Sequence, residues 1–146
     1  MVRYMHRQTS YRAMLLILPI AAVVGSSVYF ASSQGKPPPL FIPVIAIAIV
    51  VIAAAIFSTL IIEVTDDAIA VGFLFGAMRR RVARGEIMRA ERCSIPWWYG
   101  TGVKYGLKAT SYLAWPGPAV ELTLTSGRAL RIGTDDPDGL LVALKG

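Results

Sequence analysis

The chain has 146 residues and a formal net charge of +6, with 55% apolar and 16% charged residues. That is more apolar and less charged than a soluble domain, for which roughly 45–50% and about 25% are usual. A single cysteine, Cys93, excludes an intrachain disulfide, and a single histidine, His6, leaves too few ligands for a His/Cys metal site, so no cofactor is implied.

The charges are sharply partitioned. Between Arg12 and Glu63 the only ionic side chain is Lys36. A bilayer demands such partitioning, because an ionised group at its centre costs several kcal/mol. Residues 1–12 therefore read as a cytoplasmic basic tail carrying Arg3, Arg7 and Arg12. Residues 63–146 hold 11 Lys/Arg against 9 Asp/Glu, so the high pI points to membrane flanks rather than to nucleic acid.

Residues 13–62 read as a two-helix transmembrane hairpin, with spans at about 13–33 and 40–62. About 20 residues at 1.5 Å each cross a 30 Å hydrocarbon core. A cleaved leader is the alternative for the first apolar run, but the run is long and a second follows at once. Gly35 and Pro37-Pro38-Pro39 break helix between the spans, and so short a loop makes them antiparallel neighbours. Ala21, Gly25, Ala46 and Ala53 offer small-residue stripes, either for packing within the hairpin or for docking another membrane subunit or a second copy. The Lys/Arg bias places both termini in the cytoplasm and the chain in the inner (plasma) membrane, although the arginines after the second span begin late, at Arg79.

Residues 63–146 read as a small, mostly β cytoplasmic domain. Strands are expected at 61–65, 68–75, 79–83, 86–92, 102–107, 119–125 and 128–132, with turns at Asp66-Asp67 and Ser126-Gly127. Ile69, Val71, Phe73 and Phe75 are assigned to one inward face. Asp136 and Pro137 then open a short helix as N-cap and first residue, with Leu140, Leu141 and Leu144 as its apolar face. Seven or so strands closed by one helix suggest a capped barrel.

The segment Val120-Glu121-Leu122-Thr123-Leu124, followed by Gly127-Arg128 and Leu130-Arg131-Ile132-Gly133-Thr134-Asp135-Asp136-Pro137, resembles the end of bacterial pleckstrin-homology-like (PH-like) domains. Gly100-x-Gly102-x-Lys104 is similar to a glycine-containing stretch of that family. The resemblance implies a PH-like barrel with a C-terminal helix behind a two-helix anchor. It implies a location and no activity.

Candidate chemistry is sparse. Asp66/Asp67 and Asp135/Asp136 occupy turn and cap positions rather than a catalytic pair. Cys93 has Arg92 beside it but no histidine, and reads as a bystander thiol. The expectation is no enzyme. Arg79, Arg80, Arg81 and Arg84, with Lys104, are the membrane-surface candidates, since each cation near an anionic leaflet is worth about 1 kcal/mol; positive-inside topology explains the same cluster. Trp97, Trp98, Tyr99 and Trp115 are the partner-binding candidates, or else they cover the open end of the barrel. The leading expectation is a membrane-anchored module that binds a protein partner or its own copy. A lipid-headgroup sensor and an auxiliary subunit of a transporter or envelope-synthesis complex are the alternatives.

Overall fold

The computed structural model describes residues 2–36 and 38–145, without the side chains of residues 13, 14, 16 and 17. Pro37, one of the expected helix breakers, lies outside the described residues.

The chain opens with a strand, β1 (Val2–Thr9), where a basic tail is expected. Its side chains alternate, with Tyr4, His6 and Gln8 half-buried and Arg3, Met5 and Arg7 exposed. A 3-10 turn (Tyr11–Leu16) leads into α1 (Ile17–Ser33), and after a short loop comes α2 (Phe41–Ser58). Among the described residues α2 alone is long and apolar enough to cross a membrane. Its 18 residues span about 27 Å. α1 is shorter than the expected 13–33 span, because the turns before it are wound as 3-10.

No linker follows α2. Ser58 ends the helix and Thr59 is already extended, beginning β2 (Thr59–Thr65). β1 pairs antiparallel with β2, setting Thr9 against Thr59 and Arg7 against Ile61. The Ser10 amide donates to the Ser58 carbonyl at 2.8 Å, extending the ladder up to the foot of the helices. Both helices thus rise from adjacent strands. The domain does not begin at residue 63, because residues 2–9 and 59–62 belong to its first sheet.

β3 (Ala68–Phe73) and β4 (Arg80–Ala83) complete that sheet in the order β1-β2-β3-β4, all antiparallel. The second sheet contains β5 (Ile87–Ser94), β6 (Gly102–Tyr105), β7 (Ala109–Leu113), β8 (Pro118–Leu124) and β9 (Ala129–Gly133). Its order is β5-β8-β9-β7-β6, with β7 parallel to β9 and every other pair antiparallel. Among the described residues the expected seven-strand barrel is therefore nine strands in two sheets, and β7 lies where the aromatic, glycine-rich stretch reads as a loop. α3 (Pro137–Lys145) packs against β5 and β8.

The core lies between the sheets. Leu60, Ile62 and Val64 of β2 and Ile69, Val71 and Phe73 of β3 meet Tyr112, Val120, Leu122, Leu130 and Ile132, with Leu140 of α3 closing one side. Each fully buried Val, Leu, Ile or Phe contributes about 1.5–3 kcal/mol. The outer face of β3 carries only Ala68, Ala70 and Gly72. A Cβ on Gly72 would lie 3.0 Å from the Arg79 Cα, so a side chain there would press on that backbone. Phe75 departs from the expected inward face. The strand stops at Phe73, and Phe75 sits in a 3-10 turn, 89% exposed.

Candidate functional site

The strand directions sort the loops into two ends. The end from which the helices rise carries the β3–β4 turn (74–79), the β5–β6 loop (95–101), the β7–β8 loop (114–117) and the β9–α3 junction (134–136). Residues 74–78, 95–101 and 114–117 contain no charged side chain. At the far end every loop is charged: Asp66-Asp67, Arg84 and Glu86, Lys108, and Arg128.

Three contacts fix the helical end. The turn at Leu74–Gly76 packs against α2. Met78 and Thr101–Val103 line a cavity of about 440 Å³ with Ile20 of α1 and Ala53, Ala54 and Phe57 of α2. Trp115 shares a second recess with Ser10, Tyr11 and Arg12, where β1 gives way to the helices.

Several side chains on this rim project outward. Trp97 is 80% and Trp98 71% exposed, their rings edge to face at 6.0 Å. Tyr99, next in the same 3-10 turn, is half-buried against Ile95, Leu113 and Ala119 and anchors the loop. Phe75 and Met78 adopt left-handed backbone, with φ of 60° and 52°. That conformation costs an ordinary residue about 1–2 kcal/mol, and at Phe75 it holds an aromatic ring in the open.

The junction at 134–136 is polar and fully engaged. The Tyr4 hydroxyl donates to the Asp136 carboxylate at 3.0 Å, His6 lies 2.5 Å from Asp135, and the Asp135 amide donates to the Gln8 side-chain oxygen. Alternate side chains of β1 thereby latch the start of α3. Asp136 accepts from the Gly139 amide at 2.9 Å, as its N-cap position requires. That hydrogen bond, then the one from Tyr4, holds its carboxyl below the usual carboxylate range. Burial first, then Asp136, pushes the Tyr4 hydroxyl well above the usual tyrosine range.

The cationic candidates do not form one patch. Strand alternation sends Arg80 inward beside Val82, toward the Thr110 hydroxyl at 3.4 Å, and Arg79 and Arg81 to the outer face. Arg79 pairs with Glu63 at 2.9 Å. Arg84 donates to the carbonyls of Ala143 and Leu144, the open C-terminus of α3, at the far end of the domain. Lys104 lies 5.6 Å over the Tyr99 ring. Among the described residues, Arg81 alone of the five has no such partner.

The small residues divide similarly. Ala21, Val24, Val28 and Ala31 form the half-buried stripe of α1, and Ala46, Val50 and Ala53 that of α2. Recesses lined by Val24 with Ala46, and by Ile20 with Ala53, show the helices antiparallel along this seam. Gly25 lies off it, exposed, with nothing within 4 Å of a Cβ placed there.

Cys93 is half-buried; burial, reinforced by Glu121, pushes its thiol up, and Arg92 turns away to pair with Asp138 at 3.4 Å. Among the described residues no three His, Cys, Asp or Glu side chains are grouped to hold a metal ion. No protein-family model, curated protein or solved structure matches the chain.

Proposed function

We propose that the chain is a non-enzymatic, membrane-anchored interaction module. α1 with its 3-10 lead-in and α2 cross the bilayer as an antiparallel hairpin, and the β-rich domain and both termini lie on the cytoplasmic side. The observation that carries this reading is the β1–β2 ladder, which runs into both helices without a linker. A domain joined at two adjacent strands cannot swing away from its anchor. It keeps one end against the membrane, and that end carries the aromatic loops, of which 95–101 and 114–117 are uncharged. The module acts through this face, on whatever partner meets it there.

The two sheets closed by a C-terminal helix support the PH-like reading of the domain, and the parallel β7–β9 pair is a departure from a simple succession of hairpins. An anionic-headgroup sensor built on Arg79–Arg81 has less support, because those side chains diverge and two of them are engaged.

Expression of the full chain in bacteria tests the proposal. The protein is expected to stay in the membrane pellet through alkaline carbonate washing. A fluorescent protein fused after Lys145 should fluoresce, and alkaline phosphatase inserted after Lys36 should be active outside the cytoplasm. Release by carbonate, or the opposite reporter pattern, overturns the anchor or its orientation.

A further inference from the structure

Phe75, Met78, Trp97 and Trp98 come from two loops far apart in sequence, yet they share the end of the domain from which the helices rise. Residues 74–78 and 95–101, which hold them, carry no charge, and Arg79, which closes the first loop, is paired with Glu63, whereas all four loops at the opposite end are charged. We infer that this rim is embedded in the headgroup–acyl boundary of the same leaflet that the hairpin enters, so that the β domain is seated on lipid by its own side chains. The inference rests on the membrane-anchor reading above and names the partner of its contact face.

Three observations favour lipid over a protein. The first is continuity: the α2 surface runs directly into Met78 and Thr101–Val103 through one shared apolar recess. The second is side-chain type, because tryptophan, with an apolar ring and one N–H donor, is enriched where one side is hydrocarbon and the other wet. The third is backbone geometry. Phe75 and Met78 hold left-handed conformations that turn a ring and a thioether outward, where water offers neither any compensation. The depth is consistent as well. α2 covers about 27 Å of a hydrocarbon core of about 30 Å, so its foot at Ser58 and the rim around it fall at the polar boundary.

The test uses the full chain with Trp115→Phe, which leaves Trp97 and Trp98 as the only tryptophans. It is reconstituted in phosphatidylcholine vesicles, with and without lipid brominated near the headgroup end of the acyl chain. Seating in lipid predicts that brominated lipid removes most of the fluorescence and that aqueous acrylamide quenches little. Adding Phe75→Glu and Met78→Glu, at exposed positions, should shift the balance back toward acrylamide. Tryptophans open to acrylamide and untouched by brominated lipid overturn the inference while leaving the anchor intact. Tryptophans shielded from both quenchers overturn it in favour of a protein surface or a second copy. Protein that washes off the vesicles with carbonate removes the anchor reading beneath it.

Discussion

The two ends of the β domain are built from the same strands and differ in what their loops carry. At the helical end, two of four connections lack charge and a third has only Arg79, paired with Glu63, at its end; these three include the exposed Phe75, Trp97 and Trp98, and the fourth, at Asp135-Asp136, is tied down by β1. At the far end, each connection is a tight polar turn with at least one ionic side chain. Leu107, Tyr105 and Met88 are exposed there as well, but each has a charged neighbour in sequence, Lys108, Lys104 and Arg89, and scattered exposed apolar residues need no explanation. The contrast teaches that the domain has a polarity aligned with its two helices. The sequence-level partition of charge between residues 13–62 and the rest is repeated within the domain, at right angles to chain order.

The strongest way to break the comparison is to cut the ladder that aligns the domain with the helices. Deleting residues 2–9 removes β1, exposes the edge of β2 and frees the Tyr4 and His6 latch. This variant is expected to lose cooperative unfolding and to aggregate, as an unprotected sheet edge does, in thermal scans monitored by circular dichroism. The isolated fragment 63–146, which lacks the same strand, should behave alike. Two extra residues between Ser126 and Gly127, at the far end, should leave the melt nearly unchanged.

A point change in the core comes next. Phe73→Ala at the helical end of β3 removes a fully buried ring that meets Phe57 of α2 edge to face at 5.1 Å and Tyr112 at 6.3 Å. The cost is about 3–5 kcal/mol by chemical denaturation. Leu107→Ala at the far end should cost less than about 0.5 kcal/mol.

The α3 caps give smaller effects, one at each end. A Cβ on Gly139 would lie 2.1 Å from an Asp136 carboxylate oxygen, so Gly139→Ala displaces the N-cap at the helical end. Loss of a cap costs about 1 kcal/mol. Arg84→Ala at the far end uncovers the Ala143 and Leu144 carbonyls and should cost about 1 kcal/mol, with Arg81→Ala nearly silent as its control. The smallest effect is in acid. The Asp136 carboxyl is depressed in the folded state, so the unfolded chain takes up its proton first as pH falls. Its contribution is complete at neutral pH and is lost below about pH 4, near the unperturbed aspartate value. Asp136→Asn keeps a capping oxygen and should flatten the acid limb of the stability curve.

Much of this architecture is legible from residue order. The apolar run of α2, the alternation of β2, β3, β8 and β9, and the Asp136-Pro137 start of α3 are local patterns whose physical causes lie within a few residues. β1 is not local. Its period-2 pattern is present in Tyr4, His6 and Gln8 against Arg3, Met5 and Arg7, but its partner lies 50 residues away, across the hairpin. β7 is hidden because Ala109–Leu113 is flanked by glycines and a proline that read as loop. Among the candidate site residues, Trp97 and Trp98 stand out in sequence as part of an aromatic-rich stretch, and their exposure is visible only in the structure. The arginine cluster is not, since alternation on β4 and a helix terminus disperse neighbours in sequence. Phe75 and Met78 carry no sequence signal; only the turn between β3 and β4 turns them outward.

The central claim, that one end of the domain meets lipid and the other meets water, is tested most directly by depth. Spin labels at residues 75, 98 and 107 in a Cys93→Ser background, in nanodiscs, can be read by collision with oxygen, which concentrates in lipid, and with a water-soluble nickel complex. The account predicts oxygen-dominated relaxation at 75 and 98 and nickel-dominated relaxation at 107. Equal nickel access at all three positions would contradict it.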